Sequence, residues 1–315
     1  MVLFPEASAA LAELLDTDDA LVPGRPRFDL ARARREGRSQ CLRRMRARPF
    51  PSPPRVGELL ADGIRCRVFA PRDRARVVLY LHGGGWALGS PEECQPFCRL
   101  LAVRSGWAVL APEYRLAPEY PYPAALEDVE RLVGWLRRHQ DELTLDASRP
   151  ALAGDSAGAN LAAATALRAR DRGEHGYCLQ ALFCPAVDLV GDFPSREEFA
   201  HGFGLEPETM AWSSAAYVPR PADRARPDVS PLQAPSLAGL PPAIVATAEH
   251  DPLRDEGEAY AARLAEAGIP VVATRHLGAV HFFTDATRFA AAGALVDQLA
   301  STLRCVSAPD LSPSG

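Results

Sequence analysis

A serine lies between two glycines in Gly154-Asp155-Ser156-Ala157-Gly158, after an apolar run and before an alanine-rich stretch of helical period. A nucleophilic serine on a sharp strand-to-helix turn needs this arrangement. Side chains two residues before and after it would collide in such a turn, and glycine removes them. The hydroxyl would then stand above a sheet edge, at a helix N-terminus whose unpaired N–H groups favour developing negative charge. The five residues alone also fit an ordinary Gly/Ser turn, so the partners must come from the rest of the chain.

A second motif, His82-Gly83-Gly84-Gly85-Trp86, directly follows a strand-like run. Consecutive glycines let backbone N–H groups turn toward a substrate oxygen without obstruction. Gly83 and Gly84, with Ala157 just after the serine, are the expected oxyanion donors. For the base, seven histidines are available. His139 and His175 lie in polar context and read as solvated, and His201 falls in a mid-chain insertion. His281 closes a short loop after the last strand run and is the preferred base, with His276 the weaker candidate. The orienting acid is expected one strand earlier, where Asp251 is held by Pro252. Asp255 and Glu256 read as first-turn acids of the next helix, and His250 as a surface neighbour. The order is then Ser156, Asp251, His281.

These groups need a scaffold that brings distant segments to one edge. Apolar strand-like runs occur at 77–81, 108–112, 150–153, 179–185, 243–248 and 271–276. Helix-period stretches lie at 91–104, 124–142, 157–170, 255–267 and about 285–303. That alternation predicts βαβ units and a mainly parallel sheet with helices on both faces. Before it, Asp62-Gly63 marks a hairpin between strands at 57–61 and 64–70. Residues 29–45 read as a charged, solvated helix, and the proline-rich stretch 49–54 breaks the chain. The interval 186–240 is long, rich in Pro and Gly, and holds one helical patch near 207–217. Residues 1–50 are therefore expected as an N-terminal cap segment. Residues 51–315 form the catalytic domain, with a cap insertion at about 188–235 over the sheet's C-terminal edge. Trp86, Phe203, Trp212 and Tyr217 are candidates for a substrate pocket, against the plainer reading of buried packing.

Composition narrows the partners. All 35 basic residues are Arg, and the formal charge of −5 argues against nucleic acid. No apolar run is long enough to span a membrane. The N-terminus lacks a basic stretch and does not read as a signal peptide. Seven scattered cysteines suggest reduced thiols and a cytoplasmic setting. Cys94 and Cys98 share a helical face, but no second pair of metal-ligand spacing accompanies them, so no metal is expected.

Taken together, the motifs resemble those of the hormone-sensitive-lipase-like branch of α/β-hydrolase carboxylesterases. The resemblance rests on His82–Trp86, Tyr114-Arg115-Leu116-Ala117-Pro118-Glu119 with Pro121 and Pro123, Gly154–Gly158, Asp228-Val229-Ser230-Pro231-Leu232, and Asp251–Glu256. It implies an eight-stranded, mostly parallel sheet with a helical cap. It also implies hydrolysis of small or medium acyl esters without a cofactor, and dimerisation of some members through an edge strand. Residues 114–119 would serve as a structural brace. The chain departs from the family where Phe282, rather than Gly, follows His281. An acyltransferase, cyclase or amide/thioester hydrolase would share these motifs. A ligand-binding relative would lack the histidine present here.

Overall fold

The computed structural model describes residues 3–47, 50–174 and 176–307. His175 and the first proline of the expected break, Pro49, lie outside that set. Two helices open the described chain, α1 (Pro5–Leu15) and α2 (Leu30–Ala47). The hairpin follows: β1 (Arg55–Ala61) and β2 (Ile64–Ala70) pair antiparallel. Asp62 and Gly63 both take positive φ, 51° and 81°, as a two-residue hairpin turn of type I′ requires.

The βαβ rhythm then runs β3 (Ala75–Leu81), α3 (Pro91–Ser105), β4 (Ala108–Pro112), α4 (Ala124–His139), β5 (Leu145–Asp155), α5 (Ala157–Asp171) and β6 (Leu179–Phe183). The insertion carries a short α6 (Pro194–Glu198) and α7 (Pro207–Tyr217). The chain re-enters the sheet with β7 (Ala243–His250), α8 (Arg254–Glu266) and β8 (Val271–Val280), and ends in α9 (Ala290–Ser307). Among the described residues the sheet has eight strands in the order β1-β2-β4-β3-β5-β6-β7-β8. β2 runs antiparallel to both neighbours, and β4, β3 and β5 through β8 are parallel.

The period-2 alternation of the strands divides the core. Val77, Leu79 and Leu81 face α4 and α5, together with Leu152 and Val245. Val78, Tyr80, Ala151, Ala153 and Ile244 face the other way, onto Phe97 and Leu101 of α3 and Leu295 and Leu299 of α9. Both faces are buried, so these strands read as continuous apolar runs.

Several boundaries differ from expectation. β5 begins at Leu145, because Ala75 and Arg76 pair with Leu145 and Asp146 before a register shift. β7 and β8 continue to His250 and Val280, which pair beyond a second shift. The expected loop before His281 is therefore strand. α9 starts at Ala290, not near Asp285, since residues 281–288 are spent in turns.

One close approach pins the sheet to α5. A Cβ on Gly158 would overlap the carbonyls of Leu81 and His82. Gly158→Ala is expected to destabilise by about 1–3 kcal/mol, the usual range for overpacking a close-packed core. Thermal unfolding against Gly57→Ala checks this, because a Cβ on Gly57 meets nothing within 4 Å. Equal melting temperatures for the two variants would contradict it.

Candidate active site

Ser156 sits between β5 and α5 with φ 53° and ψ −119°, a conformation that L-residues rarely adopt. Such backbone costs on the order of 1–3 kcal/mol and persists only where the surroundings over-determine it. Here the Ser156 N–H donates to the Phe183 carbonyl (2.8 Å), and the Ser156 carbonyl accepts from the N–H groups of Asn160 (3.0 Å) and Ala186 (3.4 Å). A Cβ on Gly154 would meet Gly158 and Leu81 backbone at 2.6 Å, so both glycines are required by space.

The glycine loop after β3 crosses beside this turn. Tyr114 braces it: its hydroxyl donates to the His82 carbonyl (2.6 Å), and its ring stacks on the His82 imidazole at 4.3 Å. Burial holds His82 down to about pH 4 in its titration, so the ring is a neutral spacer. Gly84 and Gly85 take φ values of 115° and 59°. Among the described residues the N–H groups of Gly84, Gly85 and Ala157 have no hydrogen-bond partner. A Cβ on Gly83 would meet the Asp155 carboxylate, which accepts from the Tyr80 hydroxyl at 2.9 Å. Burial pushes the Asp155 carboxyl up, and the Tyr80 hydroxyl works against that shift.

The ends of β7 and β8 deliver the other two groups. The His281 ring is shared: Nδ1 lies 2.8 Å from Asp251 Oδ2, and Nε2 lies 3.0 Å from Ser156 Oγ. Asp251 is fully buried, and its other oxygen accepts from the Leu253 N–H at 2.9 Å. Burial of His281 disfavours the imidazolium, but the charge and hydrogen bond of Asp251 outweigh burial and raise its pKa above the usual 6.5. His276 packs on Phe283 at 4.6 Å instead of reaching the serine, and His201 is exposed beside Glu206. His250 is buried rather than on the surface. The extra length of β7 carries it between Phe199 and Phe203.

Ser156 and His281 open into a cavity of about 690 Å³. Its walls come from residues 17–44, from the glycine loop and α3, and from the mid-chain insertion. The two covering segments touch: Phe28 meets Trp212 edge-on at 4.9 Å, and the Thr209 hydroxyl donates to the Pro23 carbonyl. Of the four aromatic pocket candidates, Trp86 lines the cavity. Tyr217 stacks flat behind it at 4.5 Å, fully buried, while Trp212 and Phe203 are used in packing. Phe282, the departure after His281, also lines the cavity and meets the His281 ring edge-on at 5.2 Å. It narrows the space beside the histidine.

Two residues near the site were not legible as such. Glu256 was expected to serve the first turn of α8. Its carboxylate instead accepts from the Val187 and Asp188 N–H groups and pairs with Arg196 at 2.6 Å, fixing the start of the insertion beside the cavity. Burial pushes it up to about 7, against the pull of Arg196. Cys184 follows β6 and lies beside Asp251. Its sulfur and the nearest ligand atoms of Asp251 and His281 fall within 4.8 Å of one another. Neither residue carries a local signal, because the partners are distant in sequence.

Comparison with known proteins agrees with this geometry. The alpha/beta hydrolase fold family matches residues 78–285. The chain is 37% identical to carboxylesterase NlhH of Mycobacterium tuberculosis over 293 residues, covering 89% of this chain and 90% of that one. It is 39% identical to an arylesterase of Saccharolobus solfataricus over 225 residues, 70% of this chain and 73% of that one. A hyperthermophilic esterase from Pyrobaculum calidifontis superposes with a TM-score of 0.89 at 39% identity, covering 98% of this chain and 99% of that one. With its sheet, glycine loop and elbow matched over this share of its length, the chain belongs to the α/β-hydrolase fold family, among the carboxylesterases of its hormone-sensitive-lipase-like branch.

Proposed function

We propose that the enzyme cleaves carboxylic esters of small or medium acyl chains through an acyl-enzyme on Ser156. The observation that carries this reading is the His281 ring, which bridges Asp251 at 2.8 Å and Ser156 at 3.0 Å. His281 takes the Ser156 proton as the oxygen attacks the ester carbonyl. Asp251 holds the tautomer and stabilises the imidazolium. The N–H groups of Gly83 and Gly84, with Gly85 beside them, and of Ala157 receive the oxyanion; those of Gly84, Gly85 and Ala157 have no other partner among the described residues. His281 then protonates the leaving alcohol, and water repeats the sequence on the acyl-enzyme. No cofactor enters these steps. The cavity of about 690 Å³ suits a small or medium ester.

Residues 1–50 and about 188–235 form the cap in this reading, and 51–315 the catalytic domain. Trp86 and Phe282 shape the space beside the reacting carbonyl. Among the described residues no helix is long and apolar enough to cross a membrane. Free thiols at all seven cysteines support a reducing, cytoplasmic setting. A second copy would pair along β8, an edge strand with Val272 and Leu277 exposed. Light scattering should then give about twice 33.9 kDa, and a monomer at assay concentrations would remove that proposal.

Ser156→Ala is expected to lower kcat on p-nitrophenyl butyrate by ~10⁴-fold or more while remaining folded. Turnover near wild type would end the mechanism. Adding a competing alcohol or amine reads out transfer: free acid as the dominant product supports hydrolysis, and acylated acceptor as the main product would replace it with acyl transfer.

The pH profile has a defined sign. Protonated His281 cannot accept the serine proton, so kcat/KM should fall on acidification with a midpoint above 6.5. Asp251→Asn removes the charge that raises His281 and leaves burial, so the midpoint should move down and kcat should drop by ~10⁴-fold. An unmoved midpoint in that variant would separate Asp251 from the histidine.

A further inference from the structure

One end of the cavity runs from Ser156 toward α3 and α2. The wall is continuous: Asp155 beside Ser156 bonds the Tyr80 hydroxyl at 2.9 Å, and the Tyr80 ring meets Phe97 at 5.1 Å. One turn earlier on α3, Glu93 and Cys94 face the same space. Gly37, Gln40, Cys41 and Arg44 of α2 close it.

Glu93 stands out on that wall. One carboxyl oxygen accepts from the Ser90 hydroxyl at 3.0 Å, and the other has no hydrogen bond or ion pair among the described residues. Nearby cations are engaged elsewhere. Arg38 faces Glu92 and Glu113, and Arg44 donates to Thr287 and Asp285. Its neighbour Glu92 does not line the cavity and pairs with Arg65 at 2.9 Å. A second observation comes from α2. Gly37 occupies a helix interior, where glycine costs about 0.5–1 kcal/mol relative to Ala. A Cβ there would stand 2.8 Å from Glu93 Oε2, and the three nearest atoms all belong to that carboxylate. The glycine therefore makes room for this carboxylate.

We propose that Glu93 is a specificity determinant of the ester hydrolase described above, binding a hydroxyl group carried by the portion of the substrate that fills the α2–α3 end of the cavity. The free Glu93 oxygen accepts from a hydroxyl when the carboxylate is ionised and donates to one when it is protonated, so a hydroxyl suits both forms. Arg38 and Arg44, though paired elsewhere, lie close enough to act on the same carboxylate, and their field disfavours a cationic substrate group. Burial pushes the Glu93 carboxyl up to about 7, with the Ser90 hydroxyl and both arginines opposing and Glu92 reinforcing that shift. Its hydrogen bond to a hydroxyl is therefore stronger above neutrality, where the acceptor is ionised.

The test compares matched esters on the intact protein. One pair is p-nitrophenyl hexanoate and 6-hydroxyhexanoate; the other is hexyl acetate and 1,6-hexanediol monoacetate. The pairs place the hydroxyl on the acyl or the alcohol side. In at least one pair, Glu93→Leu should lower the ratio of kcat/KM, hydroxylated over plain, by about tenfold, the usual worth of one hydrogen bond. Plain-ester activity should stay within about twofold. Gly37→Ala, which crowds the carboxylate without removing it, should lower the same ratio. In the wild type that ratio should rise from pH 6 to 8 and be flat in Glu93→Gln; the shared titration of His281 cancels. Ratios unchanged in both pairs for both Glu93→Leu and Gly37→Ala would overturn the proposal, as would a larger gain for the 6-aminohexanoate ester. Loss of plain-ester cleavage in the wild type would instead overturn the ester-hydrolase reading itself.

Discussion

The contact on which the site depends is the meeting of α5 with the end of β3. Gly158 lies so close to the carbonyls of Leu81 and His82 that no side chain fits between them. This approach draws the elbow and the glycine loop into one structure. It holds Ser156 at φ 53° beside a loop whose Gly84 and Gly85 take φ values of 115° and 59°. Strain at Ser156 is offset by three backbone hydrogen bonds from β6, α5 and the following loop. A serine hydroxyl held by His281 and unpaired N–H groups are thus side by side before any substrate arrives. Preorganisation of this kind supplies electrostatic stabilisation without reorganisation during reaction.

Around that point the protein buries carboxyl groups and assigns each a different partner. Asp251 faces the histidine. Asp155 takes the Tyr80 hydroxyl and packs against Gly83 of the glycine loop. Glu256 holds the Val187 and Asp188 amides and Arg196, and so anchors the insertion. Glu93 keeps one oxygen unused. Buried charge is costly unless paired. The first three therefore read as organising elements, and the fourth as a group held in reserve for a ligand.

Much of this was legible in the chain. The strands face buried surfaces on both sides and so appear as apolar runs, and the intervening helices show their own period. The elbow and the glycine loop are local, because their requirements are steric and fall within five residues. Asp251 and His281 were legible through position, each following the strand that carries it to the sheet's C-terminal edge. Tertiary pairing set what was missed. β7 and β8 extend each other past their apolar runs, which buries His250 and turns the expected loop before His281 into strand.

The sequence by itself determined the chemistry-bearing types and the order in which the sheet presents them, since glycine, serine and alternating apolar patterns act through short-range sterics and burial. Only the tertiary structure decided what each polar group faces. Trp212 and Tyr217 look alike in sequence to Trp86, yet Trp86 alone of these three lines the cavity, because α7 turns Trp212 onto Phe28 and Tyr217 onto the back of Trp86. Glu92 and Glu93 are adjacent and identical in type. One is drawn into an ion pair with Arg65, and the other is left beside Gly37 on the cavity wall. The helix rotation between neighbours, about 100° per residue, puts them on different faces, and the elements packed against those faces give them different roles.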